Sequence, residues 1–267
     1  MNSVIIKTVF EQAEDWIEAP QKLNLLENQV HIWWVTLKAA SHQFVQLRRW
    51  LSQDELERAQ RYRFARDRDW FIIRRGTLRL ILGGYLSVAP AQIAFTYNSY
   101  GKPSLVIQHA AEKLYFNQSH SRGEALFAFS RRSEVGVDIE HVRPEVELLQ
   151  IAARYFSPQE KTALQALPEH QRYAGFFACW TRKEAIIKAS GQGLSLPLHD
   201  FDVSLKPGEP ARLLATRGDL RGAKQWSLYH LELDTGVIGA LAIRGQEWEL
   251  VRYRREGWLN CALAEWK

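Results

Sequence analysis

Cysteine is scarce in this chain: Cys179 and Cys261 are the only two in 267 residues. Two thiols without a CxxC spacing exclude a disulfide framework and a cysteine-built zinc site, and they suit a reducing compartment, read here as the cytoplasm. Long apolar runs are lacking too. The longest, Leu80 to Ala91, is broken by Gly83, Gly84, Ser87 and Pro90 and falls short of the roughly 18 apolar residues of a membrane span. The opening stretch MNSVIIKTVFEQAEDWIEAP meets acids early and has no basic segment leading into an apolar one, so no secretory signal is expected. No low-complexity tract occurs; 46% of residues are hydrophobic and 24% charged, as in an ordinary globular chain. At roughly 100–200 residues per domain, the length suits one large domain or two modest ones.

What the chain does have is basic charge. Lys plus Arg number 35 against 30 acids, a net +5, which favours anionic partners. The excess is concentrated: Arg48, Arg49, Arg58, Arg61, Arg63, Arg66, Arg68, Arg74, Arg75 and Arg79 follow one another closely. A nucleic-acid-binding module is one reading of that cluster, and its binding would depend steeply on salt. The 10 tryptophans, scattered from Trp16 to Trp266, read instead as core.

The pattern predicts an α+β chain. Residues 1–28 form an extension with weak helical character from Phe10 to Ile17. QVHIWWVTL alternates as a strand. Ser52 and Glu55 make a capping box that starts a helix through the arginines, and a second helix covers Asp69 to Leu86. Strands are expected at Ile93–Tyr97, Lys113–Asn117, Ala125–Ser130 and Val135–Ile139. After Pro144 a helix runs to Tyr155; Ser157, Pro158 and Glu160 cap the next. A long helix spans Glu169 to Ser190 and stops at Gly191. Strands follow at Phe201–Leu205, Gln225–Leu233, Val237–Ile243 and Trp248–Tyr253.

Four short motifs carry chemistry. In Gly136-Val137-Asp138-Ile139-Glu140 the two acids share one strand face while Val137 and Ile139 pack inward. Adjacent carboxylates repel unless a cation lies between them, and hard oxygen ligands suit Mg²⁺. A solvated strand face is the plain alternative. In Trp180-Thr181-Arg182-Lys183-Glu184-Ala185-Ile186-Ile187-Lys188, Glu184 and Lys188 lie one helical turn apart, as in any surface ion pair. Phe116-Asn117-Gln118-Ser119-His120-Ser121 offers hydroxyls and an imidazole to a phosphate, or simply forms a turn. Gly101-Lys102-Pro103 reads as a turn where a ligand can approach the backbone.

In this order, GKP, FNxSHS, GxDxE and WxxKExxxK, followed by Gly193-Leu194-Ser195-Leu196-Pro197-Leu198, resemble the 4′-phosphopantetheinyl transferase superfamily in its large single-chain, surfactin-synthetase-activating type. The resemblance runs from about Leu51 to Asp200. It implies two structurally similar halves related by a pseudo-twofold, each with a long helix packed on a small, mostly antiparallel sheet: an N-terminal half, 1–134, contacting adenine and 3′-phosphate, and a C-terminal half, 135–267, with metal and catalytic motifs. It implies transfer of the phosphopantetheine arm of coenzyme A to a serine of an apo carrier protein, with release of adenosine 3′,5′-bisphosphate. Asp138, Glu140 and Glu184 match the Mg²⁺ carboxylates, and Lys188 the catalytic lysine on the pyrophosphate, with Lys183 beside it also on the coenzyme. Ser119 and His120 match the pair near the 3′-phosphate, Gly101, Lys102 and Pro103 the stretch along the adenine, and Arg75 and Arg79 the phosphate-neutralising helix. Glu160 occupies the place of a proposed general base, although it is equally a capping-box residue. The implied partner is an acidic acyl or peptidyl carrier protein, met by a monomer without nucleic acid or membrane. An inactive relative acting only as a binding protein is the other alternative.

Overall fold

A computed structural model describes residues 16–106, 113–144, 147–217, 222–254 and 256–266. The expected helical stretch of the extension, Phe10 to Ile17, lies mostly outside them. Its end is a short strand, β1 (Ile17–Glu18). β2 (Gln29–Thr36) follows, then α1 (Ser41–Arg49), α2 (Gln53–Gln60) and α3 (Ala65–Leu86). The capping box at Ser52 and Glu55 starts α2 as expected. The arginine stretch is spread over α1, α2 and α3: α2 stops at Gln60, and α3, expected from Asp69, already begins at Ala65.

Next come the hairpin β3 (Phe95–Tyr97) and β4 (Pro103–Leu105), then β5 (Tyr115–Ser121), β6 (Glu124–Ser130) and β7 (Val135–His141). The helices α4 (Leu148–Tyr155), α5 (Pro158–Ala166) and α6 (Glu169–Ser190) follow. Gly191, at φ +71°, ends α6 where a side chain would be strained. The chain closes with β8 (Phe201–Val203), β9 (Leu213–Thr216), β10 (Trp226–Glu232), β11 (Val237–Arg244), β12 (Glu249–Arg254) and α7 (Glu256–Glu265).

Two sheets stand face to face. One has the order β1-β12-β2-β6-β5, the other β10-β11-β7. β2 is buried on both sides, so its alternation separates two cores instead of core from solvent. Val30, Ile32 and Trp34 pack with Val135, Val137 and Ile139 between the sheets. Trp33 and Val35 face Leu47, Leu78 and Trp258 of α1, α3 and α7. A third core lies under α6, where Phe177 and Ile186 meet Ala240 and Ala242 of β11. The layers are therefore helix, sheet, sheet, helix, with a 22-residue helix on each outer side.

The end of the chain crosses back. β12 runs parallel to β2, and α7 joins the first core. Residues 249–266 thus complete the sheet of the first half, although the sequence assigns them to the second. Strand alternation in ELVRYR marks β12 as a strand but says nothing of its partner.

Candidate active site

The cleft forms where β5 of one sheet runs beside β7 of the other. Asn117, Ser119 and Ser121 share one face of β5, and all three reach β7. Asn117 Oδ1 accepts from the Val137 N–H at 3.0 Å, Ser119 Oγ donates to Asp138 Oδ1 at 2.7 Å, and Ser121 Oγ donates to Glu140 at 3.0 Å. The sequence suggests a strand end followed by free hydroxyls; these hydroxyls are the stitching between the two halves.

β7 sends Val137 and Ile139 into the inter-sheet core and turns Asp138 toward α6, opposite Ala240 in the ladder. α6 comes this close because residue 136 is glycine: a Cβ there would lie 2.0 Å from the Ala185 carbonyl oxygen and 2.3 Å from the Ala189 nitrogen. The approach brings Lys188 Nζ to 2.6 Å from Asp138 Oδ1 and 2.9 Å from Ser119 Oγ. Glu184, one turn earlier, lines the same cleft, a cavity of about 410 Å³.

Three acids crowd this place. Glu140 has its pKa raised by desolvation and then by Asp138. Desolvation also raises Glu184, reinforced by Asp138 and Glu140 and opposed by Lys188. Asp138 Oδ2 is buried and accepts no hydrogen bond. Among the described residues no three His, Cys, Asp or Glu side chains form a ready cation cage; Lys188 holds the other oxygen of Asp138.

Ser119 and His120 part company, since successive strand residues point to opposite faces. Ser119 serves Asp138, whereas His120 lies on the face toward α3. Desolvation, then Arg74 and Lys188, hold its imidazole at a pKa of about 4 although the residue keeps contact with solvent. The GKP turn forms one wall. Asn98 Oδ1 accepts from the backbone N–H groups of Tyr100 and Lys102, and Asn98 Nδ2 donates to the Gly191 carbonyl at 2.8 Å. Gly101 has a φ of +80°, which favours glycine, and no atom of the chain stands within 4 Å of its missing Cβ. Lys102 pairs with Glu134 and reaches the Ala189 carbonyl. With Gly101 and Pro103 it still lines the cleft.

Four expected site residues are structural. Arg75 and Arg79 are buried and share the carboxylate of Glu55, and Arg79 also donates to the Pro90 and Ile93 carbonyls. Their spacing of four places them together on the side of α3 that faces α2, where Glu55 takes up their charge. Lys183 is wholly buried, donating to the carbonyls of Leu198 and Phe201 and pairing with Glu160 at 2.8 Å. Glu160 is 2% exposed. It caps α5 through the Ser157 N–H and accepts from the Val203 N–H, so it is an internal strut and cannot reach a substrate hydroxyl. Glu160→Gln is expected to cost about 3–5 kcal/mol of stability, measured by denaturant titration, by leaving Lys183 buried and unpaired. Transfer per folded molecule should stay near wild type; a fall of roughly a hundredfold or more would restore the general-base role.

Sequence reasoning missed Arg58, Tyr62, Arg74 and Tyr100, all of which line the cleft. The arginine cluster was the available signal, but only Glu55 decides which of its members are already paired.

The two halves match separate family models. Residues 35–129 match "4′-phosphopantetheinyl transferase, N-terminal" and residues 134–243 match "4′-phosphopantetheinyl transferase superfamily". The chain is 41% identical to the 4′-phosphopantetheinyl transferase HetI of Nostoc sp., over 88% of this chain and 95% of that protein. It is 32% identical to the 4′-phosphopantetheinyl transferase Sfp of Bacillus subtilis, over 58% of this chain and 66% of that one. Holo-[acyl-carrier-protein] synthase of Thermotoga maritima aligns with a TM-score of 0.33 at 21% identity, over 42% of this chain and 63% of that chain. The motifs that meet at the seam between β5, β7 and α6 are thus set in a chain that belongs to the 4′-phosphopantetheinyl transferase superfamily, in its large single-chain type, and is a transferase.

Proposed function

We propose that the cleft binds coenzyme A with one Mg²⁺ and transfers the 4′-phosphopantetheine arm to a serine of an apo acyl or peptidyl carrier protein, releasing adenosine 3′,5′-bisphosphate. The observation that carries this reading is the convergence of Asp138, Glu140, Glu184 and Lys188, from two distant segments, beside a cleft long enough to reach the GKP turn. The unpartnered Asp138 Oδ2 has an acceptor to offer a hard divalent ion, and such an ion would offset the desolvation, and after it the mutual repulsion, that raise Glu140 and Glu184.

When bound, Mg²⁺ supplies Lewis-acid polarisation of the diphosphate. The remaining work falls to the chain. Phosphoryl transfer needs positioning and charge neutralisation more than covalent help. Ser119 and Ser121 hold Asp138 and Glu140 in orientation, and Lys188 brings a positive charge for the leaving bisphosphate. Tyr100 and the Asn98-braced turn give the adenine a wall, so the N-terminal half, 1–134, handles the nucleoside and the C-terminal half, 135–267, the reaction.

Both walls of the cleft come from one polypeptide, so a monomer suffices. The net charge of +5 favours an acidic carrier surface. Among the described residues no helix is long and apolar enough to cross a membrane; a cytoplasmic setting, where both thiols stay reduced, agrees with the reading. The nucleic-acid alternative weakens because Arg74, Arg75 and Arg79 of the arginine cluster are buried. Incubation with coenzyme A, Mg²⁺ and a panel of apo carriers should add the arm's mass to one serine of at least one carrier, read by intact-protein mass spectrometry. No mass gain on any carrier, with salt-sensitive binding to generic DNA or RNA instead, would favour the other class.

A further inference from the structure

The bond to be made fixes the side from which a partner must come. In an in-line displacement the attacking serine approaches the phosphorus opposite the leaving group. With the leaving bisphosphate toward the GKP turn and Gly191, the serine enters from the other end of the seam, past Ser121 and Glu140. Asn117, Ser119 and Ser121 mark that direction along β5, each bonded one step further along β7.

The shoulder at that end is the corner between α2 and α3. Ser121 and Arg122 line a recess of about 250 Å³ with Asp67 and Trp70 of α3, and a Cβ on Gly123 would lie 3.0 Å from the Trp70 ring. The Arg66 guanidinium lies over that ring, 4.7 Å from its centroid, and its side chain is 69% exposed. Asp67 stands 3.1 Å from Arg66, an exposed pair between chain neighbours that holds it only weakly. Arg63 is exposed nearby, 5.4 Å from the Phe64 ring centroid, and no described carboxylate pairs with it.

Phe64 is 57% exposed at the N-cap of α3, where it makes no side-chain cap bond. Single exposed apolar residues are ordinary, but a cap favours Ser, Thr, Asp or Asn, so Phe64 serves neither the helix nor a core. Arginine beside exposed aromatic rings is the composition that protein interfaces concentrate. The charge of this corner suits an acidic partner, and its place beside Ser121 suits one that delivers a serine to the seam.

We propose that Arg63, Phe64 and Arg66 form the docking surface for the acidic carrier protein, with the phenyl ring against an apolar side chain near the modified serine and the two guanidinium groups on carboxylates around it. The proposal rests on the carrier reading above. Its test is steady-state transfer to a carrier that wild type modifies, at low and high salt, by Phe64→Ala and by the double variant Arg63→Glu with Arg66→Glu. Calorimetric binding of coenzyme A and the melting temperature are measured on each.

The double reversal should raise the KM for carrier by about tenfold or more, because like charges then face each other. Its kcat, coenzyme A affinity and melting temperature should stay near wild type. Phe64→Ala should raise the carrier KM as well, by less. The rise of KM with salt in wild type should flatten in the double reversal. An unchanged carrier KM, or a fall in kcat and coenzyme A affinity alongside it, would overturn the proposal. So would the loss of binding to generic DNA or RNA, or of self-association in sedimentation, with the carrier KM intact, since the corner would then belong to that occupant. A wild type that modifies no carrier would sink the carrier reading itself and this surface with it.

Discussion

Asp138→Asn and Glu184→Gln are each expected to lower phosphopantetheine transfer by about a thousandfold or more, and Glu184→Gln should leave the fold as stable as before, or more so. The size follows from losing a Lewis acid worth several kcal/mol in the transition state, at roughly 1.4 kcal/mol per factor of ten. The stability expectation follows from the same crowding that makes the site useful. Asp138 is among the causes that push Glu140 and Glu184 up, so neutralising one carboxylate relieves the others.

The same crowding gives stability a pH dependence. Glu140 and Glu184 hold their protons more tightly folded than unfolded. Metal-free protein should therefore lose stability as pH rises from the ordinary carboxylate range through their raised values. In Glu184→Gln that slope should flatten. Melting curves across mildly acidic to neutral pH, with chelator present, measure it. Full transfer by both variants would remove the metal assignment.

Gly136→Ala should instead lower stability and activity together, through a methyl group that touches no substrate. The added Cβ would sit 2.0 Å from a carbonyl oxygen and 2.3 Å from a nitrogen of α6. Both are backbone atoms, so no side chain can swing aside and the whole helix must shift. Overpacking of this kind costs about 1–3 kcal/mol or more. The displaced segment, between Ala185 and Ala189, carries Lys188 and lies next to Glu184. A misplacement of about 1 Å is worth roughly a hundredfold in rate. Chemical denaturation and steady-state transfer, measured side by side, should both fall. Wild-type rates in this variant would show that close contact between α6 and β7 is not what sets the site.

The sequence makes the helices and the motif strands legible because those signals are local. Ser52 with Glu55 and Ser157 with Glu160 are capping boxes in the structure, and the long helix from Glu169 to Ser190 ends at Gly191 as its sequence predicts. The α+β class follows from the same pattern, and Asp138 of GVDIE pairs with Lys188 of the Glu184–Lys188 turn at 2.6 Å. Non-local matters are harder to read. α1 and α7 carry no strong start signal: Ala40 precedes α1 without a side-chain cap bond. β12 pairs with a strand more than 200 residues earlier, a choice that its own alternation cannot encode.

Among charged residues the same divide holds. Arg74, Arg75 and Arg79 are equivalent as letters. Glu55, on another helix, takes two of them and leaves the third facing the cleft. Lys183 and Lys188 are both lysines of one motif, but only Lys188 faces the cleft, while Lys183 is sealed against Glu160. Motif membership did not separate groups that hold the protein together from groups that face a substrate.

The central claim is that the seam of β5, β7 and α6 takes a diphosphate and a divalent ion together. Titrating coenzyme A into wild type and Asp138→Asn, each with Mg²⁺ and with chelator, tests it without any carrier. Mg²⁺ should tighten coenzyme A binding to wild type by about tenfold or more and leave the variant's affinity unchanged. Equal affinity in wild type with and without the metal, or the same Mg²⁺ enhancement in Asp138→Asn, would contradict the account.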